Sequence, residues 1–184
     1  MNTTTMTEKT ERITPSQRAR IAGTTYLIVY VAGTFSLFTG SVAAGIIAGL
    51  CYIAVTVFFY YIFKPVNRNL SLVAAVISLA GCVLGVLTSL QLTLLPINTL
   101  VFFGVYCLLI GYLVFKSTFL PRFLGVLMAI GGIGWLTFVS PQLAGSLSPY
   151  NFAPGMIGEG ILTLWLIVFG VNEQRWKEKA GEPK

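Results

Sequence analysis

The sequence contains no histidine and very few charged residues. Without histidine, no imidazole is present to bind a metal or haem or to act as an acid–base catalyst. Only 10% of the residues are charged, whereas soluble domains carry about a quarter. The chain therefore lacks the side chains needed for a water-facing surface.

Cysteine is also scarce, and its three copies are far apart. Cys51, Cys82 and Cys107 have no CxxC spacing and are odd in number, so no disulfide framework follows. If the three thiols converged, they would form a soft site for copper(I). Isolated cysteines in apolar segments are more often small buried hydrophobes. We therefore predict reduced thiols, no metal site and no cofactor.

Long apolar segments dominate the sequence, and its mean hydropathy is +0.82. The uncharged run 21–63 is about twice the roughly 20 residues that one membrane span needs. We predict two helices with a break at Thr39, Gly40 and Ser41, where small polar residues favour a turn. The apolar run continues beyond the small residues 42–44, which argues against a cleaved signal peptide there. Thr14 followed by Pro15 is typical of a helix start.

Four further helices are predicted, at about 70–90, 99–115, 121–139 and 156–172. The connections are a basic turn (64–69), an uncharged turn with Pro96 (91–98), a second basic turn (116–122) and an uncharged loop (140–155). The predicted fold is an all-α integral membrane bundle of six transmembrane helices. It comprises a polar N-terminal tail (1–19), the six-helix domain (20–172) and a charged tail (173–184).

The basic residues predict the orientation of this bundle. The N-terminal tail, the two basic turns and the C-terminal tail hold all twelve: Lys9, Arg12, Arg18, Arg20, Lys64, Arg68, Lys116, Arg122, Arg175, Lys177, Lys179 and Lys184. Basic residues are retained on the cytoplasmic side, so both termini are expected there. Aromatic belt residues are expected at both boundaries: Tyr60, Tyr61 and Trp176 inside, Tyr150 and Trp135 outside. A net charge of +6 is typical of nucleic-acid binding, but its position between apolar runs indicates the lipid bilayer as partner and no nucleic acid.

Glycines at a spacing of four lie on two of the predicted helices. Gly45 and Gly49 share one helix face, and Gly81 and Gly85 share another. Such pairs let helices approach closely, either within one bundle or in a dimer. Packing within one bundle is the favoured interpretation, and a homo-oligomer is left open. The fifth predicted helix carries three more glycines that mark either a bend or dense packing, Gly131, Gly132 and Gly134.

Glu159 is the one acid inside a predicted span. An intramembrane carboxylate is a functional hypothesis by default. The alternative is an anchor, because Glu159 is expected in the first turn of its helix, where the helix dipole favours an anion. In either role the side chain is expected to face the bundle interior or an outer vestibule, not lipid. Residues able to line a polar site with it are Tyr106, Asn98 and Tyr26 as first candidates, then Tyr30, Tyr52, Tyr112, Thr24, Thr25 and Ser78.

Three blocks of sequence resemble a known family. The blocks are Arg20–Gly23 with Tyr26; Pro65–Arg68, Phe102–Tyr112 and Phe119–Arg122; and Gly158-Glu159 with Trp165, Gly170–Asn172 and Trp176. The chain resembles the uncharacterised bacterial multi-pass membrane proteins grouped as domain of unknown function 4386. The resemblance implies an integral membrane protein and supplies no reaction.

Three functions fit the sequence. The first is a non-enzymatic binding, accessory or structural membrane unit, and it requires nothing that the sequence lacks. The second is a small transporter of a small or lipophilic molecule, which would use Glu159 and the glycines of the fifth helix. The third is a membrane-embedded enzyme on a lipidic substrate with Glu159 as acid or base, although no paired carboxylate or Ser–His set accompanies it. The ligand is unknown in all three, and the non-enzymatic function is favoured.

Reporter fusions test the predicted threading. Fusions after Lys64, Lys116 and Lys184 are expected to be cytoplasmic, because these positions follow or lie within basic segments. Fusions near Thr39, Gln91 and Ser146 are expected on the opposite side. An opposite result at one internal turn would contradict the six-helix threading.

Overall fold

The computed structural model describes residues 13–92 and 98–181, which form helices and no strand. In these ranges lie α1 (Pro15–Thr39), α2 (Val42–Phe63), α3 (Arg68–Ser89), α4 (Leu100–Lys116), α5 (Arg122–Leu136), α6 (Pro141–Leu147), α7 (Phe152–Val168) and α8 (Glu173–Ala180). One 3-10 turn, Thr137–Val139, joins α5 to α6. The predicted all-helical class is confirmed. Most of the N-terminal tail, most of the 91–98 turn with Pro96, and the last three residues lie outside the described ranges.

The predicted break between the first two helices is confirmed, and two residues, Gly40 and Ser41, produce it. Gly40 ends α1 in the left-handed conformation, with φ 68°, and its N–H bonds to the Ser36 carbonyl. A residue with a Cβ pays a steric penalty there, which glycine avoids. Ser41 then caps α2 by accepting a hydrogen bond from the Ala44 N–H. At the other end of α1, Thr14 forms a capping box with Gln17.

The predicted loop at 140–155 is wrong over most of its length, because only 148–151 and Ser140 lie outside helices. It contains α6, which Ser140 caps through the Leu143 N–H, and α7 already begins at Phe152. Proline misled the prediction, because two of the loop's prolines stand in first helical turns. Pro141 is the first residue of α6, and Pro154 lies in the first turn of α7. The backbone N–H groups of a first turn have no partner within the helix, so proline is tolerated there.

The six long helices close into a ring. Each of α1 to α4 packs on the next helix, α5 packs on α7, and α7 packs back on α1. Neighbours run antiparallel: Arg20, near the start of α1, donates to the carbonyl of Val168 at the end of α7, at 3.5 Å. Further along the same pair, the Tyr30 hydroxyl donates to the Met156 carbonyl. The ring places the faces of non-consecutive helices opposite one another across a shared interior.

Antiparallel packing puts the start of α1, the α2–α3 and α4–α5 turns and the end of α7 at one end of the ring, here called the basic end. It holds every described basic residue: Arg18, Arg20, Lys64, Arg68, Lys116, Arg122, Arg175, Lys177 and Lys179. Helix α8 is tied to this end, because the Trp176 indole donates to the Ile62 carbonyl at 2.8 Å. The Asn172 N–H donates to the Phe119 carbonyl at 3.1 Å.

The outside of the ring is apolar on all sides. Large hydrophobic side chains stay exposed on every long helix, among them Phe35, Leu50, Val76, Phe115, Ile133 and Leu164. A surface of this kind is stable against lipid and not against water. Four helical segments are long and apolar enough to cross a membrane: α1, α2, α3 and the unit Arg122–Val139. Helices α6 and α7 meet at a bend of 80°, and they add a fifth such segment if the pair is counted as one span. Helix α4 is apolar but has 17 residues, at the short end of the spanning range.

Three of the four paired glycines pack against other helices of the bundle. Gly45 lies beside Ser36 and Ser89, and Gly49 lies beside Val86. Gly81 faces Phe102. Packing within one bundle, the favoured interpretation, is confirmed for these three glycines.

A substitution at Gly111 of α4 tests the close approach of α4 and α5. A Cβ at Gly111 would lie 2.7 Å from the Gly125 carbonyl oxygen and 3.0 Å from the Ala129 nitrogen, which are backbone atoms that cannot rotate away. We expect Gly111→Ala to lower the free energy of unfolding by about 1–3 kcal/mol and the melting temperature in detergent with it. Gly85→Ala is the matched control, because a Cβ at Gly85 meets nothing within 4 Å. Equal melting temperatures for the two variants would contradict the α4–α5 contact.

Candidate functional site

Glu159 lies in the middle of α7, inside the ring. Because α7 begins at Phe152, Glu159 is about 10 Å along the helix at 1.5 Å per residue. The predicted position in the first turn is therefore wrong, and the anchoring role through the helix dipole loses its basis, since that effect decays within one turn. The side chain is 7% exposed. It faces the bundle interior, which is the orientation expected from the cost of a carboxylate in lipid.

Three other helices supply hydrogen-bond donors to this carboxylate. The Tyr26 hydroxyl of α1 donates to Oε2. The Trp135 indole N–H of α5 donates to Oε1, and the Cys107 thiol of α4 approaches the same oxygen at 3.4 Å. The Tyr52 hydroxyl of α2 lies 3.3 Å from that of Tyr26. These five residues, the Glu159 cluster, join five of the six long helices at one point.

Small residues on α7 make room for the cluster. A Cβ at Gly155 would overlap the indole of Trp135, so glycine at this position lets the indole cross α7 toward Glu159. Gly158 lies against the backbone of α5 at Leu127. Gly160 faces the Tyr30 ring at ordinary contact distance. The two glycines that flank Glu159 are thus covered by α5 and by a tyrosine.

Aromatic rings surround the cluster on the α2 and α4 sides. The Tyr52 ring lies 4.7 Å from Phe103 and 5.9 Å from Tyr106, between centroids. Tyr26 packs edge-on against Phe59 at 5.9 Å. Aromatic rings therefore border the cluster on these two sides.

Two buried hydroxyls near the cluster have no partner among the described residues. One belongs to Tyr106, which is fully buried and packs edge-on against Tyr52. The other belongs to Thr163, one turn beyond Glu159 on the same face of α7. Leaving a buried hydroxyl unpaired costs roughly 1–3 kcal/mol.

The candidate residues predicted from the sequence fall into two groups, those at or beside the Glu159 cluster and those that lie elsewhere. Tyr26 donates a hydrogen bond to Glu159, whereas Tyr106 only packs edge-on against Tyr52 of the cluster. Asn98 is not brought there: it is exposed, and its Oδ1 accepts the Leu100 N–H at 3.0 Å, at the start of α4. Tyr112 is half-exposed and packs under the Lys116 ammonium instead. Whether the cluster has a function stays a prediction.

Sequence reasoning missed Trp135 and Cys107. Trp135 was expected at the outer membrane boundary, but its indole turns inward to the carboxylate. Cys107 was considered only as one of three thiols. Cys51 and Cys82 do not share its contact with Glu159, and the described residues contain no group of three metal-binding side chains. No spacing rule along the chain connects residue 107 or 135 to residue 159.

The cluster contains a carboxylate without a cation. Its three partners are a phenol, an indole and a thiol, all neutral donors. No described Lys or Arg is among them, because these residues lie at the basic end. Neutral donors stabilise a carboxylate but do not balance its charge.

Comparison with known proteins places the chain in a family. The family described as Domain of unknown function (DUF4386) matches residues 96–170. An uncharacterized protein of Archaeoglobus fulgidus is 30% identical over 129 residues, covering 64% of this chain and 76% of that protein. The chain belongs to the DUF4386 family. No solved structure matches it.

The DUF4386 match covers α4, α5 and α7, and so includes Cys107, Trp135 and Glu159. Tyr26 and Tyr52 lie outside the matched range. The family assignment confirms the resemblance found in the sequence. Since the relative is archaeal, a bacterial origin for this chain stays a prediction.

The hydrogen bonds of Glu159 are tested by removing the acceptor. We expect Glu159→Ala to leave the Tyr26 hydroxyl and the Trp135 indole unsatisfied, which costs about 1–3 kcal/mol for each group. Glu159→Gln keeps a carbonyl acceptor, so a smaller loss is expected. Thermal unfolding of the purified chain in detergent measures both.

Thr163→Val is the matched control on the same helix face. It removes a buried hydroxyl that has no partner, so stability is expected to stay equal or to rise. If Glu159→Ala melts at the temperature of wild type, the cluster does not contribute as described.

Proposed function

We propose that this DUF4386 protein is a non-enzymatic binding protein of the bacterial cytoplasmic membrane that binds a small lipophilic cation at Glu159. We further propose that it crosses the membrane six times, with both termini cytoplasmic. The observation that carries the binding proposal is the interior carboxylate with three neutral donors and no cationic partner. A charge at the bilayer centre costs roughly 2.5–3.5 kcal/mol, and a bound cation would remove that cost.

The aromatic surroundings favour an organic cation over a bare metal ion. Tyr26, Tyr52 and Trp135 present rings and polar tips around the carboxylate. Aromatic faces attract cations, and desolvated cation–π contacts contribute about 2 kcal/mol. A hard metal ion instead prefers several oxygen ligands. A cation with an apolar body matches both the rings and the membrane interior.

The basic end supports the proposed threading. All nine described basic residues lie there, while the opposite end, with Gly40, α6 and the start of α7, has none. Under the positive-inside rule the basic end is cytoplasmic. Six spans require α4 and α7, of 17 residues each, to cross as well. A helix of that length is about 25 Å long, near the lower limit for a span.

A small transporter is the second candidate. Transporter sites lie near the membrane midplane beside interrupted helices, and Glu159 is at mid-helix in the unit whose two parts are bent by 80°. An enzyme on a lipidic substrate has less support. Glu159 is the one carboxylate in the described spans, and no second carboxylate stands beside it as a partner acid or base.

Equilibrium binding of radiolabelled tetraphenylphosphonium to the purified full chain tests the proposal. We expect saturable binding to wild type, weakened about tenfold or more in Glu159→Gln, since a close charge pair contributes at least about 1.5 kcal/mol. Glu173→Gln is the matched control, because this carboxylate lies at the basic end and accepts from Thr14. Melting temperatures verify that both variants fold.

Absence of binding to wild type, or equal binding to Glu159→Gln, would show the proposal to be wrong. Uptake of the same cation by proteoliposomes separates the two candidates. Accumulation by wild type but not by Glu159→Gln would indicate the transporter. Binding without uptake would indicate the binding protein.

A further inference from the structure

A second site lies at the basic end, far along α7 from Glu159. It is a pocket of about 370 Å³ between the α4–α5 turn and the link from α7 to α8. We call it the arginine pocket. The residues that line it are Thr118, Phe119, Leu120, Pro121, Trp165, Phe169, Gly170, Val171, Asn172 and Arg175. Its volume lies in the range of pockets that bind small molecules. This site is independent of the proposed function of Glu159.

One guanidinium, that of Arg175, lines the arginine pocket, and two further arginines make contacts close to it along the chain. Arg175 lines it, and one of its nitrogens donates to the Thr118 carbonyl at 3.2 Å, across the pocket wall. Arg20 reaches the end of α7 at Val168, immediately before Phe169. Arg122 follows Pro121 of the wall and lies over Phe115. Guanidinium groups bind phosphate through paired hydrogen bonds.

The one acid next to the wall is engaged elsewhere. Glu173 accepts a hydrogen bond from the Thr14 hydroxyl at 2.7 Å. Glu178 lies one helical turn beyond Arg175 and is not part of the wall. The potential at the pocket is therefore positive, which favours an anionic ligand.

An aromatic wall continues from the pocket onto the lipid-facing surface. The Trp165 and Phe169 rings are 4.4 Å apart, and Phe123 packs edge-on against Trp165 at 5.7 Å. Phe169 and Phe123 are both exposed on the outside of the ring. A free phosphate would make no use of these rings, whereas acyl chains would lie along them.

We propose that the arginine pocket binds the headgroup of an anionic phospholipid, with its acyl chains against Phe169 and Phe123. The phosphate is held by Arg175, the arginine that lines the pocket. Basic pockets between helices at the headgroup level suit lipids of this charge. The bound lipid would bridge the α4–α5 turn and the start of α8, which are the segments that close the basic end.

Native mass spectrometry of the full chain, released from nanodiscs of equimolar phosphatidylglycerol and phosphatidylcholine, tests the proposal. We expect wild type to retain phosphatidylglycerol preferentially. Arg175→Gln is expected to reduce this preference about fivefold, since each basic residue near the surface contributes about that factor. Arg68→Gln is the matched control, being basic and at the same end but outside the pocket wall.

Phe169→Ala separates a lipid from a free phosphate. This side chain is 60% exposed, so its removal leaves the fold intact, and it also provides a test if Arg175→Gln does not fold. It is expected to reduce retention, whereas Phe38→Ala, exposed at the opposite end, is expected to leave it unchanged. Equal retention in Phe169→Ala and Phe38→Ala, equal retention in Arg175→Gln and Arg68→Gln, or displacement of the lipid by inorganic phosphate would overturn the proposal.

Discussion

A carboxylate held inside a membrane bundle has lost its water and must recover hydrogen bonds from the protein. Glu159 recovers them from α1, α4 and α5, and Tyr52 of α2 extends the network through Tyr26. No single neighbour of α7 could supply all three donors. The arrangement of helices and the state of this one side chain are therefore coupled, and loss of the carboxylate would leave polar groups unpaired on several helices at once.

The ring that makes this coupling possible depends on small residues. Helices α4 and α5 approach so closely that the backbone of Gly125 occupies the space that a side chain at Gly111 would need. Gly155 has the same role toward the Trp135 indole. In lipid there is little hydrophobic force between helices, so close van der Waals packing of this kind holds them together. The same packing sets the distances within the Glu159 cluster.

The bundle is also polarised along its axis. One end carries the basic residues and the arginine pocket, the middle carries the uncompensated carboxylate, and the opposite end carries α6 and no described basic residue. The interior between the carboxylate and the basic end is filled by apolar side chains such as Leu166 and Leu124. The two candidate sites are thus separated by a packed layer, and the ligands proposed for them have opposite charges.

The sequence by itself determined the helical class, the break at Gly40 and the caps at Thr14 and Ser41. These depend on neighbours along the chain, through hydrophobic runs, helix caps and backbone conformation. It also determined that Glu159 avoids lipid, since that follows from the cost of burying a charge alone. Proline was a weaker guide: Pro141 and Pro154 stand in first helical turns, which made α6 and the start of α7 look like loop.

Only the tertiary structure decided which residues meet. Tyr26, Cys107, Trp135 and Glu159 lie on four different helices, and Asn98, an equally good candidate by type, ends in a local cap instead. Helix pairing depends on how small and large side chains fit between neighbours, a property of two surfaces at once that no single stretch of sequence contains. For the same reason Trp135 turns inward: its indole passes over Gly155, twenty residues away along the chain but adjacent in the ring.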